Sequence, residues 1–276
     1  MRKTELGEAL RELRKASGKE AKTVARSAVM SASKLSKIET GKLAPSVVDV
    51  ESILTAVGVS EEVKAEYMEA ARAASTEVMA WRLLARMGYH KGQQQAQALE
   101  AQMSLLRLFQ PALIPGLLQT PEYIRAVIAR HGLTEDSQAR TMAARLERQK
   151  VLYDSSKQLR FIITESVLRW RITSSPIMAG QIDRLISLSR LPNIDVRIVA
   201  QSAPQNDFPS HSFVIRDDRL VTVETVHAEV VVTDPRDVKE YADKFEGFSL
   251  VSVSGDEMRV MLGAIRDEFL REQETG

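Results

Sequence analysis

Residues 18–46, GKEAKTVARSAVMSASKLSKIETGKLAPS, decide the fold of the first part of the chain, because they predict two short helices joined by a tight turn. The second helix follows Ser31, whose hydroxyl is a good N-cap, and it ends near Glu39. Leu35 and Ile38 are its only large apolar residues, and they stand three positions apart. This thin stripe predicts a helix that buries one narrow face and turns a polar, partly basic face outward.

Three further amphipathic helices surround this pair. One lies before Gly18, the fourth helix begins at Pro45-Ser46 and the fifth begins at Ser60. Five short helices joined by short turns predict an all-α domain over residues 1–72. Within it, two helices joined by a tight turn form the layout of a helix-turn-helix, whose second helix enters the major groove of DNA.

Positive charge is concentrated in the same region. The whole chain has a formal net charge of +1, but residues 11–42 contain nine basic and three acidic side chains, a net charge of +6. This asymmetry favours contact with a polyanion such as DNA. A lysine-rich helical surface that is merely solvated is the alternative explanation of the same charge.

The side chains opposite Leu35 and Ile38 are the predicted base contacts, since serine and lysine can both bond to base edges in the major groove. Basic residues near the helix ends are the predicted phosphate contacts. Because one small helix-turn-helix reads few base pairs, we expect a homodimer on paired half-sites of a double-stranded DNA operator. The predicted DNA-binding residues are Ser31, Ser33, Lys34, Ser36, Lys37, Thr40, Lys42, Lys19, Lys22 and Arg26.

The remainder of the chain changes character twice. Residues 73–108 are helical in pattern and predict a helical connector. Prolines and a glycine then break the helix, after which strand patterns alternate with helical ones. Residues 109–276 therefore predict an α+β domain with a mostly antiparallel sheet, in which Asp217-Asp218 is a hairpin turn. The predicted strands are 159–164, 194–200, 211–216, 219–225 and 229–234.

Several classes of protein are disfavoured by what the sequence lacks. The chain has no cysteine, which excludes disulfides, thiol nucleophiles and cysteine metal sites. No apolar run approaches the roughly 18–20 residues that span a bilayer, and the first residues lack the apolar segment of a signal peptide. We therefore expect a cytoplasmic protein that does not bind membranes.

Catalysis and metal binding are not expected either. The sequence contains no nucleophile elbow, phosphate-binding glycine loop or dinucleotide fingerprint. Ser210 and His211 are adjacent, but neighbours in a strand point to opposite faces and cannot act as nucleophile and base. We therefore expect no enzyme activity, no catalytic or metal-binding residues and no cofactor. The histidines, none with a metal-ligand spacing, are His90, His131, His211 and His227.

Ala25, the run from Ser31 to Lys42, and the Pro45-Ser46 start of the next helix together resemble the helix-turn-helix of the XRE (Cro/repressor-like) family. That family usually has glycine in the turn between the two helices, where this chain has Val29. A β-branched residue resists positive φ. We therefore expect the turn to differ from that of the family, with a helix extended by one residue.

Residues 98–128, ALEAQMSLLRLFQPALIPGLLQTPEYIRAVI, resemble the long C-terminal domain of a group of XRE regulators from high-GC filamentous bacteria, the antitoxin-like transcriptional regulators. The most diagnostic block runs from Pro115 to Tyr123. Together with the helix-turn-helix, the resemblance covers nearly the whole chain. It implies a DNA-binding repressor or activator, often encoded beside a small partner protein that binds it and that behaves in some pairs as a toxin.

The aliphatic residues of the block at 111–123 are predicted to pack into the core rather than to form a partner surface. The predicted partner-binding residues are Gln119, Glu122, Tyr123 and Trp170. Three functions stay open. The chain is a transcriptional regulator controlled by a small partner protein encoded nearby, a similar regulator controlled by a small ligand in a pocket of the C-terminal domain, or a protein-interaction module that does not bind DNA.

Overall fold

The computed structural model describes residues 3–80, 88–204, 207–226 and 228–275. The chain divides into two compact units. The N-terminal unit contains Met1–Val78 and Val230–Val238, and the C-terminal unit contains Met79–Glu229 and Lys239–Gly276. None of the helices in the described ranges is long and apolar enough to cross a membrane.

From Lys3 to Ser75 the N-terminal unit is all-α and contains the five predicted helices. Their ends follow the capping signals in the sequence. The hydroxyl of Ser31 accepts a hydrogen bond from the amide of Lys34, and Ser46 opens the fourth helix with a reciprocal capping box. The helices are α1 (Lys3–Ala16), α2 (Ala21–Ser27), α3 (Ala32–Glu39), α4 (Val47–Val57) and α5 (Glu61–Ser75).

One cluster of aliphatic side chains forms the core of these helices. Gly7 lets α1 approach the C-terminal end of α3, because a Cβ built at Gly7 would lie 2.2 Å from the carbonyl oxygen of Ile38. The contact between the two helices is therefore closer than any side chain at position 7 permits. The buried residues of the core are Leu6, Leu10, Val24, Ala25, Ala28, Leu35, Ile38, Val47, Val50, Ile53, Leu54, Val57, Met68 and Ala71.

The strands of the chain are β1 (Thr76–Ala80), β2 (Leu105–Gln110), β3 (Gln158–Thr164), β4 (Ile194–Val199), β5 (Phe213–Arg216), β6 (Leu220–Glu224) and β7 (Ala228–Val232). In the sheet, β7, β6, β5, β2, β3 and β4 lie side by side in that order. β3 runs parallel to both β2 and β4, whereas β5 runs antiparallel to both β2 and β6. The C-terminal part of the chain therefore has the predicted α+β fold with a mostly antiparallel sheet.

Helices cover both faces of this sheet. On one face, α10 and α12 pack against the aliphatic residues of β2, β3 and β4. On the other face, the ring of Phe109 stacks on Phe213 at 5.3 Å and on Phe248 at 4.3 Å between centroids. The helices are α6 (Tyr89–Gln102), α7 (Pro121–Ile128), α8 (Glu135–Arg148), α9 (Glu165–Arg169), α10 (Ser175–Leu188), α11 (Pro235–Leu250) and α12 (Gly255–Thr275).

The predicted hairpin turn at Asp217-Asp218 is confirmed. Both residues take positive φ, +50° and +49°, and the amide of Arg219 donates to the carbonyl of Arg216 at 3.0 Å, so the tight turn is centred on this pair. The carboxylate of Asp217 also accepts hydrogen bonds from the amides of Ser104 and Leu105, at 2.9 and 2.8 Å. The turn therefore holds the start of β2 as well as joining β5 to β6.

The prediction that residues 73–108 are helical throughout is wrong. α6 occupies the middle of this stretch, but β1 precedes it and β2 begins at Leu105. β2 is buried on both faces from Leu106 to Phe109, so its sequence shows no alternation of apolar and polar residues. A short apolar run of this kind cannot be told from a buried helical segment by periodicity alone.

The close approach of α1 to α3 yields a prediction. Gly7→Ala is expected to lower the free energy of unfolding by about 1–3 kcal/mol, because the new methyl group overlaps the carbonyl of Ile38. Gly180→Ala is the matched control. Gly180 lies in α10 with open space around it, so alanine there is expected to stabilise by about 0.5–1 kcal/mol. Urea denaturation measures both, and the same sign for both variants would contradict the steric account.

Candidate nucleic-acid interface

The turn between α2 and α3 is a Schellman motif. The amide of Met30 donates to the carbonyl of Ala25 at 2.9 Å, and the amide of Val29 donates to that of Arg26 at 3.2 Å. Val29 takes the left-handed position, at φ +53°, which glycine usually occupies. α2 ends at Ser27 and is not extended. The expectation that valine alters this turn is therefore wrong.

The valine in this turn is strained. A left-handed conformation costs a non-glycine residue on the order of 1–2 kcal/mol, and β-branching adds to the crowding. The side chain of Val29 is 93% exposed, so burial does not offset this cost. Met30, partly buried against the helical core, holds the turn together with the two amide hydrogen bonds. The helices on either side thus impose the turn on the residue within it.

α3 has the two faces that its sequence predicts. Leu35 and Ile38 are fully buried. Ser33, Ser36 and Lys37 lie on the opposite side, and all three are exposed. The outward face of α3 is therefore polar and hydrogen-bonding, as a helix that enters the major groove requires.

Lys34, a predicted DNA contact, pairs within the domain. Its ammonium lies 2.6 Å from the carboxylate of Asp49, whose other oxygen accepts a hydrogen bond from the amide of Ser46. Burial alone would raise the pKa of Asp49, but the hydrogen bonds from Lys34 and Ser46 outweigh it and hold that pKa below its ordinary value. Lys34 thus ties α3 to the N-terminus of α4, and its contact with DNA stays a prediction.

Lys19 is engaged in a similar way. Its ammonium donates to the carbonyl of Ala56 at 2.9 Å, near the C-terminus of α4, where the helix dipole favours a cation. The other predicted basic contacts are exposed and pair with no carboxylate in the described part of the chain. They are Lys22, Arg26, Lys37 and Lys42.

Two hydroxyl groups that are predicted to contact DNA also form hydrogen bonds within α3. Ser31 accepts the N-cap hydrogen bond of the helix, which leaves its O–H free to donate. Thr40 donates its O–H to the carbonyl of Ser36 at 2.7 Å, which leaves its oxygen free to accept. Both residues are exposed. Each can therefore bind one further group in addition to its helical role.

A buried ion pair holds the C-terminal end of α3. The Nε and Nη2 atoms of Arg14 donate to the two carboxylate oxygens of Glu39, at 2.6 and 2.8 Å. The side chains are only 13% and 6% exposed. The hydrogen bond to Glu39 raises the pKa of Arg14 above its ordinary value. Nη1 of Arg14 donates to the carbonyl of Lys19, so one side chain connects α1, the following turn and α3.

Ala32 and the Arg14–Glu39 pair are absent from the residues predicted from the sequence. Ala32 is exposed at the first position of α3, between Ser31 and Ser33, where the N-terminal residues of a recognition helix meet base edges. The position of Ala32 directly after the N-cap is the sequence feature that indicates its exposure.

The sequence feature that indicates the Arg14–Glu39 ion pair is weaker. An acid in the last turn of a helix opposes the helix dipole, which indicates a compensating cation.

Two of the four predicted partner-binding residues are inaccessible. Gln119 and Tyr123 are buried, so the prediction that they contact a partner is wrong for both. Burial raises the pKa of the Tyr123 hydroxyl to about 12. Glu122 is exposed, and Trp170 is 61% exposed. Contact of a partner with these two residues stays a prediction.

The block at 111–123 is held by three buried glutamines. Its aliphatic residues fill the core, as the sequence predicts, and its backbone carbonyls therefore need hydrogen-bond donors away from water. Glutamine side chains supply them. Gln119 donates to the carbonyl of Ile114 at 2.7 Å, Gln149 to those of Gly116 and Gln119 at 3.2 and 2.8 Å, and Gln181 to that of Leu118 at 2.9 Å.

Ser210 and His211 precede β5 and do not lie in a strand. Oγ of Ser210 is 2.9 Å from Nδ1 of His211, whose Nε2 is 3.3 Å from the hydroxyl of Tyr241. The prediction that these neighbouring side chains point apart is therefore wrong, and the expectation of no enzyme activity stays a prediction. Among the described residues, no group of three or more potential ligands could hold a metal ion. His227 lies outside them.

Two family models match the sequence. A helix-turn-helix domain matches residues 5–67, in agreement with the five helices and the turn at Val29. A domain of unknown function (DUF5753) matches residues 93–264, more than half of the chain. No curated protein matches.

Some solved structures are similar to this chain at low identity. The phospholipase D family member Nuc from Salmonella typhimurium is 11% identical, over 65% of this chain and 98% of its own, with a TM-score of 0.37. NucT from Helicobacter pylori is 10% identical over the same shares, with a TM-score of 0.38. TrmBL2, an archaeal chromatin protein with a novel mode of DNA binding, is 12% identical over 71% of this chain and 60% of its own, with a TM-score of 0.37. Sequence identities and TM-scores as low as these assign no function to the chain.

The strained turn yields a prediction. Val29→Gly is expected to raise the free energy of unfolding by about 0.5–1 kcal/mol, because relief of the left-handed strain exceeds the extra chain entropy of glycine. Val48→Gly is the matched control. Val48 is also exposed but lies within α4, so glycine there is expected to destabilise by about 0.5 kcal/mol. Destabilisation by both substitutions in urea denaturation would contradict the strain at Val29.

The buried ion pair yields another prediction. Arg14→Met is expected to destabilise the protein by about 3–5 kcal/mol, since it leaves the carboxylate of Glu39 buried without its partner. The double variant Arg14→Met with Glu39→Met is expected to recover most of that loss, because no unpaired charge is left in the core. Thermal and urea denaturation of the single and double variants measure the coupling. Additive losses would show that the two residues act independently.

Proposed function

The chain belongs to the DUF5753 family, and we propose that it is a sequence-specific DNA-binding transcriptional regulator that acts by binding rather than by catalysis. The observation that carries this proposal is the outward face of α3. Ser33, Ser36 and Lys37 are exposed there, above the buried pair Leu35 and Ile38, in a helix-turn-helix domain. Serine and lysine are suitable partners for base edges in the major groove.

Basic side chains near this face support contact with phosphates. Lys22 and Arg26 lie on α2, and Lys42 follows α3. These side chains are exposed and pair with no carboxylate in the described ranges, so their charge is available to a polyanion. Phosphate contacts of this kind position the recognition helix, whereas the contacts of α3 select the sequence.

We also propose that the regulator binds its operator as a homodimer. A single recognition helix reads too few base pairs for strong selectivity, and paired half-sites about one helical turn apart are the usual remedy. Analytical ultracentrifugation of the protein with its selected DNA site would show two chains per site. A complex of one chain per site with full selectivity would contradict the dimer.

For the C-terminal domain we propose binding of a small partner protein encoded nearby, as in antitoxin-like regulation. Trp170 supports this, because its ring is 61% exposed and its neighbours Arg169 and Arg171 are ion-paired with Glu268 and Glu272 of α12. An exposed aromatic side chain on a fixed backbone is a common anchor of protein interfaces. Co-purification with the product of the adjacent short gene, lost in Trp170→Ala, tests this. Control by a small ligand is the alternative if no partner binds.

The DNA-binding face yields a prediction. Lys37→Ala is expected to weaken binding to an operator obtained by in vitro selection by about 1–3 kcal/mol, with unchanged thermal stability because Lys37 is exposed. Lys22→Ala is expected to reduce the slope of log affinity against log salt by about one. Fluorescence anisotropy measures both. Lys15→Ala, on α1 and paired with Glu12, is the control and should change neither quantity.

The same titration separates DNA binding from its alternative. Wild-type protein without salt-sensitive, sequence-selective binding would contradict the proposal and favour a protein-interaction module that does not bind DNA. Loss of stability in Lys37→Ala would show that α3 is oriented differently from the description above.

A further inference from the structure

A cleft of about 230 Å³ opens where β2, β3 and β4 end. These three strands are parallel neighbours, so their carboxyl ends meet at one edge of the sheet. Pro111 follows β2, Thr164 ends β3, and Val199 ends β4. In sheets with parallel strands, ligands bind preferentially in the crevice outside the carboxyl ends.

The lining of the cleft is uncharged. Pro111, Val199 and Phe248 supply apolar walls, and the ring of Phe248 is held in place by its stack on Phe109. The polar groups come from Thr164, Ser166 and Gln201. A charged ligand would lose hydration here without gaining an opposite charge from the described residues that line the cleft. The lining therefore favours an uncharged molecule.

A carboxylate beside the cleft is already neutralised. One oxygen of Glu165 accepts a hydrogen bond from Arg169 at 2.8 Å, and the other accepts one from the amide of Gln201 at 2.9 Å. Glu165 thus fixes the backbone of Gln201 and offers no free charge to a ligand.

Two hydroxyl groups lie at the polar side of the cleft. Thr164 lies 3.3 Å from the carbonyl of Pro111 and 2.9 Å from the hydroxyl of Ser166, and either hydroxyl can donate in the second contact. When Thr164 donates its one O–H to Pro111, the proton between the two hydroxyls comes from Ser166. In this arrangement the exposed oxygen of Ser166 accepts a hydrogen bond from a ligand.

We propose that this cleft binds a small, uncharged, ring-containing molecule that donates an N–H or O–H hydrogen bond to Ser166. An apolar cavity of about 150 Å³ binds benzene, so a cleft of about 230 Å³ has room for one substituted ring. The ring lies between the apolar walls, and the side-chain amide of Gln201 meets its polar edge. The site is in the C-terminal unit and does not depend on the DNA-binding face of α3.

Three probes of nearly equal shape test the chemistry on the full chain. Benzamide is uncharged and has N–H donors, benzoate is charged, and acetophenone is uncharged and has no donor. Isothermal titration calorimetry and protein-observed NMR should show binding of benzamide. The affinities of the other two compounds should be at least about tenfold lower, because a tenfold change corresponds to the loss of about one hydrogen bond. Equal binding of benzoate, or no binding of benzamide, would overturn the proposal.

Variants locate the site. Ala200→Leu should abolish benzamide binding, because the larger side chain fills the cleft, and Ser166→Ala should weaken it about tenfold through loss of the acceptor. Ala143→Leu, an exposed position on α8, is the matched control and should bind like the wild type. Thermal melting confirms that each variant is folded. Unchanged binding in a folded Ala200→Leu protein would place the ligand elsewhere and overturn the assignment.

Discussion

The bidentate ion pair between Arg14 and Glu39 is the interaction on which the position of α3 depends. It joins the last residue of α3 to α1 with little access to water, and the same guanidinium bonds to the carbonyl of Lys19. Gly7 completes this junction, because only a residue without a side chain lets α1 lie against the carbonyl of Ile38. Since the stripe of Leu35 and Ile38 is thin, apolar burial alone is a weak constraint on α3, and polar contacts at its end do much of the orienting.

The six basic residues among the predicted DNA contacts divide into two groups, which net charge does not distinguish. Lys34 and Lys19 are bound to acceptors at the two ends of α4, so their charges stabilise the domain. Lys22, Arg26, Lys37 and Lys42 extend into solvent. Asp49 lies outside residues 11–42, so the +6 of that range does not include the carboxylate that Lys34 meets. The exposed set lies on α2, α3 and the residues that follow α3, which is the side that a helix-turn-helix turns toward DNA.

Features with a local physical cause could be predicted from the sequence, and features set by distant contacts could not. The Ser31 cap, the buried face of α3 and the Asp217-Asp218 hairpin each follow from residues within one turn of the chain. β2 cannot be predicted in this way, because burial on both faces removes its periodicity. The turn at Val29 cannot be predicted either, because packing of the flanking helices overrides local preference. The polarity of Gln119 and Tyr123 favours the surface, whereas the loop carbonyls and the core require both side chains inside. Which of the predicted DNA contacts is paired within the domain also depends on α4, a separate helix that the sequence of α3 does not describe.

The position of β2 in the sheet has a consequence for how the chain is synthesised. β2 pairs with β5, and Asp217 bonds to the amide of Ser104 across 113 residues of sequence. Helices α1 to α5 make local contacts and can form as soon as they leave the ribosome, whereas the sheet cannot close until β5 has been translated. At about 5–20 residues per second, the roughly 140 residues between α5 and β5 take on the order of ten seconds to translate. The helix-turn-helix can therefore fold on the nascent chain before the sheet of the C-terminal unit closes.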